Sequence, residues 1–132
     1  MIFRGISIIF STAHGAQYAA IGQYWDDMSN IFGRENIRGL GYNWMKDTIE
    51  YVIGMKDNSV IEIKNEELSE KYSRAVYKEI SLPDYGWKTY TGETNKLAEI
   101  YKKIYEEGSL NYEIESFSNV GTCKILINRE NL

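Results

Sequence analysis

One cysteine, one histidine and one proline occur in 132 residues, and each scarcity closes off a class of protein. A lone cysteine excludes an internal disulfide framework, and Cys123, in the middle of an apolar run, reads as a core residue. His14, the only histidine, follows Ser11 and Thr12 in a loop. A Ser-His pair can be drawn there, but no carboxylate is spaced to orient it, so His14 reads as a surface residue. The chain has no zinc-ligand spacing, no helix-turn-helix or RNA-binding motif and no glycine loop to cradle phosphate, so neither metal nor cofactor is expected. No apolar run is long enough to span a bilayer, and no charged-then-apolar leader opens the sequence. The expectation is a cytoplasmic protein with no membrane contact. A net charge of -4 argues against direct nucleic-acid binding, which rests on clustered Lys and Arg.

Aromatic residues, by contrast, are plentiful. They make up 14% of the chain, with eleven tyrosines and three tryptophans, more amphipathic ring surface than a small core needs. Such rings suit sites that grip flat organic molecules. At 132 residues the chain is expected to form a single domain, 1–132, that buries most of its apolar surface without a staple.

Periodicity divides the chain into elements. Residues 2–10, IFRGISIIF, read as a buried strand. Tyr18, Ile21, Trp25, Met28 and Phe32 recur at helical spacing over 17–32, and Gly33 ends that helix. Two strands follow at 40–44 and 48–55, then an extended stretch at 60–64 after the Asp57-Asn58-Ser59 turn. The charged segment 65–72, NEELSEKY, joins two halves and carries a short helical turn; Glu66, Glu67 and Glu70 read as a solvated face. Alternation restarts at 74–81, and Pro83-Asp84-Tyr85-Gly86 is a turn.

The most informative run is 87–117. Trp87, Thr89 and Thr91 alternate with Lys88 and Tyr90 as a strand, and Leu97, Ile100, Tyr101 and Ile104 form one apolar helix face. Thr91 or Thr94 can cap that helix, and Gly108 stops it. Residues 112–117 alternate again, with Glu113 and Glu115 on one strand face, and 122–128 form the last strand.

Both halves therefore follow the order strand, helix, strand, strand. Ile21 and Trp25 correspond to Ile100 and Ile104, each pair one helical turn apart. The expected fold is α+β: two tandem β-α-β-β units, about 1–64 and 72–132, related by a pseudo-twofold axis. Their two main helices pack on one side of an antiparallel sheet and flank a central cleft.

This order of elements, with the IGQYWDDM and LAEIYKKIYEEG helices, the GYNW, IEYVIGM, YEIESF and CKILIN strands and the ISLPDYGWKTYTGE strand pair, resembles the gyrase-inhibitor-like, or effector-binding, domain superfamily. That superfamily supplies the ligand-binding half of several multidrug-sensing transcription activators and also occurs as small free-standing proteins. The Tyr112-Glu113 pair matches its aromatic-glutamate step, whose glutamate in drug-binding relatives lies in the pocket and neutralises cationic ligands. Gly92 matches the glycine after the central strand, and Ile53-Gly54 matches a step near the end of the first repeat. Two departures stand out: the proline usual near the start of the last strand is missing from KILINRE, and Trp87 replaces a smaller residue. Trp87 thus either stacks on a ligand or fills its space.

The resemblance implies a protein that sequesters or senses amphipathic aromatic, cationic compounds. The expected site is Glu113 with walls from Tyr18 and Trp25 on the first helix, Tyr42, Trp44 and Tyr51 on the first strand pair, and Trp87 and Tyr90 on the central strand. Alternation is expected to put the Tyr42 and Trp44 rings on one face. A carboxylate among rings attracts a delocalised cation by counter-charge and by cation-π attraction of roughly 0.5 to 2 kcal/mol per ring. Two alternatives stand beside this. Some relatives hydrolyse cyclopropane-containing natural products with a pocket glutamate, for which Tyr42, Tyr51 or Tyr90 could donate the proton. Others inhibit gyrase, which implies a protein partner.

Overall fold

The computed structural model describes residues 1–129. Its frame is a seven-stranded sheet in which every neighbouring pair is antiparallel. The strands are β1 (Ile2–Ser11), β2 (Ile37–Tyr42), β3 (Thr48–Met55), β4 (Val76–Ser81), β5 (Trp87–Glu93), β6 (Tyr112–Phe117) and β7 (Thr122–Asn128), in the spatial order β4-β1-β3-β2-β6-β7-β5. Helix α1 (Ala16–Phe32) follows β1, the short α2 (Glu66–Lys71) precedes β4, and α3 (Leu97–Glu106) follows β5. No helix among the described residues is long and apolar enough to cross a membrane. The architecture is α+β, with the two long helices on one face of the sheet.

Alternation explains that placement. Ile6, Ile8 and Phe10 of β1 lie opposite Ile53, Tyr51 and Ile49 of β3, and this face packs on Tyr24, Trp25 and Met28 of α1. The Tyr24 hydroxyl donates to the Ile6 carbonyl at 2.7 Å, which satisfies the polar end of a fully buried ring. Further along the same face Ile125 and Ile127 of β7 receive Ile104 of α3. Gly33 ends α1 with φ +86°, and its N–H returns to the Ser29 carbonyl. Helix α3 begins differently from the expected threonine cap: a 3-10 turn at Thr94–Lys96 leads into it, and no side chain caps it. Residues 60–64 form no strand; Ile61 is buried and Ile63 half-buried against the α1 cluster. Beyond them, Lys71 and Tyr72 both donate to Asp27 and tie the α2 segment to α1.

The other face of the sheet carries a second buried cluster. Phe3, Leu40, Val52 and Ile114 are buried there with Leu82, flanked by Tyr42, Trp87 and Tyr112. The reason lies in the connection. β4 and β5 are opposite edges of the sheet, yet only residues 82–86 join them. Laid flat, seven strands would put those edges about 29 Å apart, whereas such a linker reaches about 20 Å at full extension. The sheet therefore curls until its edges approach, and the linker closes over the back cluster. Hydrogen bonds from Leu82 N–H to the Met1 carbonyl (2.7 Å), the Trp87 indole to the Pro83 carbonyl (2.8 Å) and the Asn128 amide to the Tyr85 carbonyl (2.8 Å) fix it.

Candidate functional site

Strand β6 turns Glu113, Glu115 and Phe117 toward the helices. Facing the two acids on β2 are Gly41, opposite Glu113, and Gly39, opposite Glu115. These glycines make the floor possible. A Cβ at position 39 would lie 2.2 Å from the Tyr51 hydroxyl, and one at position 41 would lie 2.7 Å from Glu113 Oε1. With no side chain in the way, Tyr51 extends from β3 across β2 and donates its hydroxyl hydrogen to Glu115 Oε1. The same hydroxyl accepts from the Trp25 indole N–H at 2.7 Å. Trp25, Tyr51 and Glu115 thus form a relay that joins helix α1 to strand β6.

The walls follow from helical spacing. Tyr18, Ile21 and Trp25 form a stripe on α1, and Leu97, Tyr101 and Tyr105 form one on α3. Trp44 and Ile49 complete one side, and Phe117 and Arg34 the other. The resulting cleft holds about 680 Å³. Arg34 stacks over Phe117 at 4.4 Å and Trp25 at 5.5 Å, and pairs loosely with Asp26 at 3.8 Å. Tyr18 is 72% exposed and stands at the mouth, whereas Tyr51 is fully buried at the base.

The two acids differ in their surroundings. Burial, and then the charge of Glu115, hold the Glu113 carboxyl well above the usual carboxylate range. Its Oε2 is buried and finds no hydrogen-bond donor among the described residues. Burial raises Glu115 as well, and hydrogen bonds from Tyr101 and Tyr51 and the Arg34 charge offset only part of that rise. The phenols of Tyr51 and Tyr101 are pushed well up by burial and by these neighbouring acids, so both stay protonated. Glu115 is consequently the carboxyl with hydrogen-bond and charge support, and Glu113 the one left to find a partner.

Of the residues expected at the site, Glu113, Tyr18, Trp25, Trp44 and Tyr51 come together in this cleft. Tyr42, Trp87 and Tyr90 do not. Strand β2 ends at Tyr42, and Asn43 adopts φ +57°, which breaks the alternation that would have put Tyr42 and Trp44 on one face. Tyr42 stays on the back of the sheet, stacked on Tyr112 with ring centres 6.1 Å apart. Trp87 lies on that back face too, beside Tyr112 at 6.3 Å, so it neither stacks in the cleft nor fills it. Tyr90 packs under α3 against Ile104, Ile125 and Ile127, and its hydroxyl donates to Glu107.

Glu115, Tyr101, Tyr105 and Arg34 join the site without having been singled out for it. The signals for two of them were present: Glu115 shares its strand face with Glu113, and Tyr101 belongs to the apolar stripe of α3. Nothing local marks Arg34, which reaches the cleft from the turn after α1. Among the described residues no group of three or more His, Cys, Asp or Glu is arranged to hold a metal ion. No protein-family model matches this chain, and no curated protein matches its sequence.

Proposed function

We propose that this protein binds amphipathic aromatic cations in the α1/α3 cleft, sequestering or sensing them. The observation that carries the reading is the buried, donorless Oε2 of Glu113 in a ring-walled cleft. A carboxyl in that position is stabilised by a ligand that brings a positive charge, and the rings add cation-π attraction. The cleft volume of about 680 Å³ suits one drug-sized molecule.

The same reading takes the chain as a cytoplasmic member of the effector-binding superfamily. Strand order supports it: β1-β3-β2 on one side and β5-β7-β6 on the other meet at the β2/β6 pair, each with a long helix after its first strand. Two units related by a pseudo-twofold axis would produce this order, with β4 added to the outer edge of the first.

Thermal-shift measurements over cationic, neutral and anionic aromatic compounds test the proposal, because a ligand of the folded state raises the melting temperature by mass action. Cationic compounds should give the largest shifts. A flat response across all three classes would remove the support for a ligand site.

A second reading, hydrolysis of a strained electrophile, is favoured by the nearness of Glu113 to the protonated phenols of Tyr51 and Tyr101. A carboxyl with a raised pKa is a stronger base once ionised, and a phenol can return the proton. Turnover that vanishes in Glu113→Gln while binding persists would mark the cleft as catalytic.

A further inference from the structure

We propose that the cleft takes up a singly charged organic cation in one-for-one exchange for a proton on Glu113, an inference that rests on the ligand reading above. Two carboxyls stand two residues apart on one face of β6, 6% and 8% exposed, and their surroundings are unequal. Glu115 has its donor in Tyr51, with Arg34 nearby. Glu113 has neither.

The groups facing Glu113 bring it no positive charge. From β6 comes Glu115, and from β3 and α3 come the phenols of Tyr51, Tyr101 and Tyr105, each pushed up by burial first and by the acids next. Its cross-strand neighbours, Gly41 on β2 and Ile127 on β7, do not titrate. Helix α1 adds Tyr18 and another acid, Asp26, to the walls. Two cations line the cleft: Arg34 pairs with Asp26 and acts on Glu115, and Lys102 comes from α3. A second anion beside Glu115 in this setting is costly, and a proton removes the cost.

The exchange balances simply. When a cation enters, the O–H bond of Glu113 breaks, the proton leaves for bulk water, and the ligand's positive group takes its place beside the carboxylate. No electron changes hands. Because Glu115 is already served, one cation displaces one proton.

Titration calorimetry of the full chain with ethidium, a permanently charged cation, in phosphate and in Tris at neutral pH reads the exchange. The expected result is a binding heat that changes with the buffer's ionisation enthalpy by one released proton per ethidium, together with an affinity that falls about tenfold per pH unit of acidification. Neutral phenanthridine should release none. Ethidium binding with equal heat in both buffers would overturn the exchange and leave cation binding standing, whereas no ethidium binding would overturn both. Infrared spectroscopy of the ligand-free protein supplies a check independent of any ligand: a protonated-carboxyl stretch that disappears in Glu113→Gln is expected, and its absence at neutral pH overturns the proposal.

Discussion

Gly41 and Glu113 face each other across the β2/β6 pair, and a single added methyl group at position 41 would sit 2.7 Å from the carboxyl oxygen Oε1. The absence of a side chain on one strand is what gives the acid on the next its place in the cleft floor. Gly41→Ala should therefore push the Glu113 side chain aside, costing about 1–3 kcal/mol of stability by overpacking and weakening any cationic ligand. Chemical denaturation together with a dye titration checks both effects.

Tyr51 links Trp25 to Glu115, accepting from one and donating to the other. Tyr51→Phe leaves a buried indole N–H and a buried carboxylate each short of a partner. The expected loss is about 1–3 kcal/mol in urea unfolding at neutral pH. An unchanged unfolding midpoint would contradict the relay.

Much of this was legible in the residues. Strand β6 follows from its period-two alternation, strands β3 and β7 from short apolar runs bounded by turns, and both long helices from apolar residues at helical spacing. Glu113 and Glu115 could be put on one strand face by the β6 alternation. What could not be read is what lies three strands or a linker away. The five-residue connection at 82–86 forces the sheet to curl and covers a second apolar cluster on its back, where Trp87 packs with Tyr112. The positive φ of Asn43 sends Tyr42 and Trp44 to different faces, and only backbone geometry reveals it. Arg34 reaches the site through a turn that carries no periodic signal.

The separation of the tryptophans gives a spectroscopic test. Trp25 and Trp44 line the cleft, whereas Trp87 lies on the opposite face with its indole bonded to Pro83. A bound dye should quench the first two, and Trp87→Phe should leave its affinity unchanged to within about twofold, as expected for a site outside the contact. A much larger loss in Trp87→Phe would join the two faces functionally.

Stability should depend on pH through Glu113. The unfolded chain releases this proton in the ordinary glutamate range, whereas the folded chain holds it until well above that range. Between the two the folded state binds more protons, so its stability falls as pH rises, and the cost is fully present above the folded pKa. Glu113→Gln should accordingly be more stable than the parent at alkaline pH, with the gap closing toward the ordinary glutamate range. Urea unfolding across about pH 5 to 9 measures it, and parallel curves for the two proteins would contradict a raised Glu113.

The central claim is that Glu113 recognises positive charge in an aromatic cleft. Its most direct test is the affinity of ethidium and of neutral phenanthridine for the parent protein and for Glu113→Gln, measured side by side by fluorescence. Losing a charge-assisted contact should weaken ethidium about tenfold to a hundredfold while phenanthridine changes little. Equal losses for the two compounds, or none for either, would contradict the claim.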